Sequence, residues 1–164
     1  MAELTNLESK VAEVLGLAEA AKGATTKVKG LAEDERELTA VLDRMAKEAE
    51  ETARRCEKLA GGFDGKKTAI LEQARETKQE ATEMMQTYLG ADADALDGFE
   101  FLTMAEAGEV GHWEIVGVLA DRAAHAETRS LVEWALPIQQ RHLEEARSGS
   151  LRLAAREDPN ETSG

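Results

Sequence analysis

Cysteine occurs once in the 164 residues, at Cys56. A single thiol excludes an internal disulfide and a thiolate metal cluster and suits a reducing compartment, so any metal here would take oxygen and nitrogen ligands. Aromatics make up 4% of the chain and proline appears twice. With Ala, Glu, Leu and Lys dominant, that composition predicts helix nearly throughout and no sheet. Long apolar runs are also missing: stretches such as Ile115 to Ala120 fall far short of the ~18 to 20 residues that span a bilayer. The opening MAELTNLESK has no signal-peptide pattern, and a soluble, cytoplasmic protein is expected. Basic residues are too few to balance the acids, 20 Lys and Arg against 33 Asp and Glu, a formal charge of -13. Nucleic acid and anionic membranes both call for a basic face, so neither is an expected partner. Nucleophilic triads, phosphate loops and nucleotide fingerprints are absent.

What is present is helical periodicity in a length that suits one domain. Breakers divide residues 1–157 into helices at about 4–22, 33–60, 66–89, 96–123 and 126–156, with Gly23 ending the first and the GGFDG run from Gly61 to Gly65 ending the second. Residues 158–164, DPNETSG, read as a disordered tail. The linker GADADA, Gly90 to Ala95, lacks the glycine and the terminal Glu of a calcium loop.

The fourth helix carries the informative pattern. Leu102, Ala105, Glu109, His112, Val116, Leu119 and Ala123 recur at alternating three- and four-residue steps, an apolar seam that turns ionisable in its middle. Glu109 and His112 stand i, i+3 and share one face. A carboxylate and an imidazole on a buried seam need a partner. Di-metal carboxylate bundles supply a cation to Glu and Glu-x-x-His elements projecting into a four-helix core, whereas a His satisfied by a neighbouring carboxylate is the plainer solution. In the last helix, Leu131, Ala135, Ile138, His142 and Glu145 make the seam, Gln139 and His142 repeat the i, i+3 spacing, and Pro137 predicts a kink. In the first helix Glu8 interrupts the apolar stripe. In the second, Glu48 and Glu51 flank a seam of Leu38, Leu42, Met45, Ala49, Thr52, Cys56 and Leu59. Trp113 and Trp134 are expected to cap the core.

Residues equidistant from the turn of a helical hairpin lie level with each other. Reflection about residues 27 and 28 sets Glu8 beside Glu48. Reflection about 124 and 125 sets Glu109 beside Gln139, with His112 and His142 within about one turn, ~5.4 Å.

The segment VGHWEIVGVLADRAAHAE, Val110 to Glu127, resembles the corresponding region of the YciE/YciF-like stress proteins, a branch of the ferritin-like superfamily. LTAVLDRMAKEAEET, Leu38 to Thr52, is similar to that family's second helix, NLESKV, Asn6 to Val11, to its start, and LPIQQRHLEEA, Leu136 to Ala146, to the final-helix signature of ferritin-like proteins. The resemblance implies an all-α, ferritin-like antiparallel four-helix bundle with a crossover helix between the two hairpins. It also implies a homodimer and an iron site of one or two ions. Carried over by position, the metal candidates are Glu8, Glu48, Glu51, Glu109, His112, Gln139 and His142. The family's second-helix His is Glu48 here, its Glu before His112 is Gly111, and its last-helix carboxylate is Gln139. GSLR, Gly149 to Arg152, resembles the cargo-loading peptide of ferritin-like proteins packed in encapsulin shells.

Two functions follow as expectations. One is a metal-binding bundle linked to stress or to peroxide and iron handling. The other is a non-catalytic scaffold with a metal-free polar core. The number of converging carboxylates, and whether Glu48 or Glu51 turns to solvent, discriminates them.

Overall fold

A computed structural model describes residues 2–163. Five helices make the fold, α1 (Asn6–Leu31), α2 (Arg36–Ala60), α3 (Lys67–Tyr88), α4 (Ala95–Ala123) and α5 (Ala126–Ala154), with no strand among the described residues. Two starts are fixed by reciprocal caps, Thr5 with Glu8 and Asp94 with Asp97, each side chain accepting the other's backbone N–H. α4 stops where Ala124 turns left-handed at φ 53°, and His125 opens α5 by accepting the Thr128 N–H on its ring nitrogen. Short turns fold α1 on α2 and α4 on α5. The hairpins meet through α1 with α4 and α2 with α5, and α3 lies mainly against α1. A Cβ at Gly16 would come within 2.4 Å of the Ala74 carbonyl oxygen, so the α1–α3 contact is too close for any side chain there.

The apolar core falls into two clusters. One gathers Val11, Leu15, Cys56, Ile70, Trp113 and Val116. The other gathers Val28, Leu42, Met45, Phe99, Leu102 and Leu153. Neither contains a charged side chain, and each of α1, α2, α4 and α5 runs from one to the other.

Four sequence readings change. α1 does not end at Gly23 but continues to Leu31, because Ala24, Thr25 and Val28 are buried and tertiary packing outweighs the helix cost of one exposed glycine, about 1 kcal/mol. The buried line of α4 is Leu102, Glu106, Glu109, Trp113, Val116 and Ala120. Ala105, His112 and Leu119 are therefore one step off it, and Trp113 stands in the core at 1% exposure instead of capping it. On α5 the line is Leu131, Ala135, Gln139, His142, Ala146, Gly149 and Leu153, while Ile138 and Glu145 sit on its shoulder. GSLR lies inside α5, with Gly149 under the Phe99 ring, where an added Cβ would meet Phe99 at 2.4 Å. Trp134 is half-buried, with the Arg55 guanidinium 4.0 Å above its ring.

Candidate functional site

Between the two apolar clusters each long helix crosses a gap. Leaving out the cluster members and the glycines, the buried positions in that gap are Ala18 and Ala21 on α1, Ala49 and Thr52 on α2, Glu106 and Glu109 on α4, and Gln139 and His142 on α5. Every pair is spaced i, i+3, so each helix offers the gap two side chains from successive turns of one face. The turn at Ala32–Glu35 puts the α1–α2 midpoint near residue 33, which sets Ala18 level with about position 49, and reflection of the second hairpin sets Glu106 level with about 143. The result is one transverse layer. Its α4–α5 half is ionisable or amide-bearing, while its α1–α2 half is alanine and one threonine, whose hydroxyl donates to the Glu48 carbonyl 2.8 Å away.

The polar half is partly closed on itself. The Gln139 side-chain amide donates to Glu106 Oε2. His142 lies between carboxylates, with Nε2 3.4 Å from Glu48 Oε1 and Nδ1 3.8 Å from Glu106 Oε2. Burial pushes Glu106 up to about 7, against the lowering effect of the Gln139 hydrogen bond. Burial and then the neighbouring Glu106 charge drive Glu109 well above the usual carboxylate range. Burial lowers His142, opposed by Glu48 and reinforced by Arg141 and Arg44. Burial first, then the Glu109 and Glu19 charges, hold the Cys56 thiol protonated. Glu109 is 5% exposed, and no ion pair or side-chain hydrogen bond engages its carboxyl group among the described residues.

Beside this half-layer α1, α3 and α4 leave a cavity of about 330 Å³. Its walls include Leu17, Ala21, Ala24, Met85, Leu102 and Ala105, and Glu106, Glu109 and His112 are its ionisable groups. Small side chains on α1 leave this space, and the C-terminal half of α3, whose Met84 is 66% exposed, borders it loosely.

The residues expected from the sequence do not all meet. Glu109, Gln139 and His142 lie in the layer, and Glu48 reaches its rim, where Arg141 also binds it and Arg44 Nε stands at 3.6 Å. Glu8 is at the far end, bound to the Thr5 N–H and 3.7 Å from Lys66 Nζ. The turn falls later than residues 27 and 28, so Glu8 faces about position 59 instead of Glu48. Glu51 is held outside by Arg54 and Arg55, whose hydrogen bonds draw it down to about 2. His112 points away from Glu109's layer, with Nδ1 2.8 Å from the Gly108 carbonyl and Nε2 3.4 Å from Glu13. Glu106 was missed. The signal lay in the sequence, since Glu106 is i−3 from Glu109 and i+4 from Leu102, but phasing the seam on His112 in place of Trp113 hid it.

The fold and the layer define an all-α bundle with a half-polar waist. No protein-family model, curated protein or solved structure matches the chain. Among the described residues, no three His, Cys, Asp or Glu side chains are already drawn together as a metal cage, and no helix is long and apolar enough to cross a membrane.

Proposed function

We propose that the chain is a divergent ferritin-like bundle, with α3 as the crossover helix, whose waist takes up a single divalent cation such as iron(II). The observation that carries this reading is the side-by-side burial of Glu106 and Glu109 next to His142, with no Lys or Arg paired to either glutamate. Two buried carboxylates require either protons or a cation. Two carboxylates, an imidazole and the Gln139 amide oxygen match by donor type what one hard-to-borderline ion accepts, after side-chain rotation to converge. Two ions do not fit, because Ala18, Ala21, Ala49 and Thr52 occupy the facing positions with no carboxylate or imidazole. An iron ion held there with open positions would supply chemistry with dioxygen or peroxide. The chain's own part is to bind it, to exclude bulk water with the flanking apolar clusters and to orient His142 through Glu48, which faces its Nε2.

The second reading is the metal-free scaffold. It is favoured by Glu51, which Arg54 and Arg55 hold outside the waist, and by the contacts that already close part of the waist, with Arg141 and His142 on Glu48 and Gln139 on Glu106. A homodimer belongs to either reading, with the exposed Met104, Ile115 and Val118 of α4 as the surface to bury.

Metal analysis of protein purified without chelator, with an iron(II) titration, separates the two. One ion per chain, lost in Glu106→Gln and in His142→Ala, supports the first reading. No ion under any loading condition leaves the scaffold.

A further inference from the structure

We propose that the cavity between α1, α3 and α4 is a binding site for a small hydrophobic amine whose protonated nitrogen is held by the Glu109 carboxylate. A volume of about 330 Å³ falls at the lower end of the range of small-molecule pockets, ~300 to 1,000 Å³. Alanine, leucine and methionine walls accept an alkyl or aryl body, and methionine adapts to its shape.

The ionisable groups at the cavity set the polar end. Glu106 already accepts from Gln139. The His112 ring is engaged by the Gly108 carbonyl and Glu13. Glu109 alone is nine-tenths buried, turned to the cavity and without a protein partner among the described residues. A purely apolar occupant would leave that carboxyl group stranded, and a carboxylate ligand would bury its own charge with no cation beside it. A protonated amine supplies both the compensating charge and up to three donors, in a setting where water is largely displaced and charge-assisted hydrogen bonds are strong. The geometry therefore selects a cationic head on a short apolar tail.

This site does not require the metal reading, and its test uses chelator-treated full-length protein. Calorimetric titration with octylamine, octan-1-ol and octanoate near neutral pH compares one apolar tail under three heads. The expected result is one octylamine per chain, bound about tenfold or more tighter than octanol, with octanoate weakest. Glu109→Gln should remove the advantage of octylamine over octanol. Ala81→Trp, which fills the α3 wall of the cavity, should weaken both. Circular dichroism checks that each variant keeps its helices, and if Ala81→Trp unfolds, Glu109→Gln decides alone. Octylamine binding no tighter than octanol, octylamine binding unchanged in Glu109→Gln, or no octylamine binding to the wild-type chain overturns the proposal.

Discussion

The two halves of the waist answer one structural problem in opposite ways. At the same level and with the same i, i+3 spacing, α1 and α2 present Ala18, Ala21, Ala49 and Thr52, and α4 and α5 present Glu106, Glu109, Gln139 and His142. The small half costs little to bury and forfeits packing, and its Ala21, with Ala20 and Ala24 of the same helix, lines the cavity. The polar half fills its volume and pays in desolvation, which appears as raised glutamates and a lowered histidine. An alanine layer opposite a carboxylate layer makes room for something that neither layer supplies.

The sharpest way to break the contrast is to put charge on the empty side. Ala18→Glu, at a position 1% exposed, should cost roughly 3 to 5 kcal/mol in urea denaturation at pH 8, as an uncompensated buried charge does. A loss under ~1 kcal/mol would mean that the small half is wet and already tolerant of charge.

Next in size is the pH response of the polar half. Glu106 titrates near 7 in the folded chain and near 4.5 when unfolded, so the folded state holds that proton more tightly. Its contribution is fully present below about pH 4.5 and disappears as pH rises to about 7, a difference of roughly 3 kcal/mol. His142, shifted the other way, contributes fully above the unfolded imidazole value and loses that contribution as pH falls from there through its lower folded value. Glu109, Gln139 and Glu48 share the surroundings, so the measurement is the difference between wild-type and Glu106→Gln denaturation profiles from pH 8 to pH 4. Parallel profiles would show that Glu106 keeps an ordinary affinity for its proton.

Gly16→Ala should cost about 1 to 3 kcal/mol, since its Cβ would drive against the Ala74 carbonyl oxygen and lift α3 from α1. Faster hydrogen exchange confined to α3, on the small side of the waist, is the accompanying sign. The smallest effect is expected from His112→Ala. With its side chain 37% exposed and paired at 3.4 Å to Glu13, it should change stability by less than ~1 kcal/mol. A larger loss would place His112 within the layer after all.

How much of this could be read in advance varies by helix. The buried line of α2, Leu38 through Leu59, is the one its periodicity drew, because a strongly alternating charged face leaves a single possible phase. α4 is apolar on more than one face, with Met104, Ile115 and Val118 exposed, so two phases one step apart compete in its sequence. That step cost Glu106 and promoted His112. Glu8 went astray for a different reason. A hairpin reflection is only as good as its turn, and Gly23 marked a turn that α1 does not make.

The sequence by itself determined an all-α chain, the short connection that pairs α4 with α5, and the presence of ionisable residues at i, i+3 on helices that must be buried. Those follow from propensity, capping and periodicity, which are local. Only the tertiary structure decided which side chains share the waist, that half of it is alanine, and that α3 stands far enough from α1 and α4 to leave a cavity lined by Glu109. These depend on helix phase and on packing between segments distant in sequence, where a rotation of one residue about a helix axis exchanges a buried carboxylate for an exposed one.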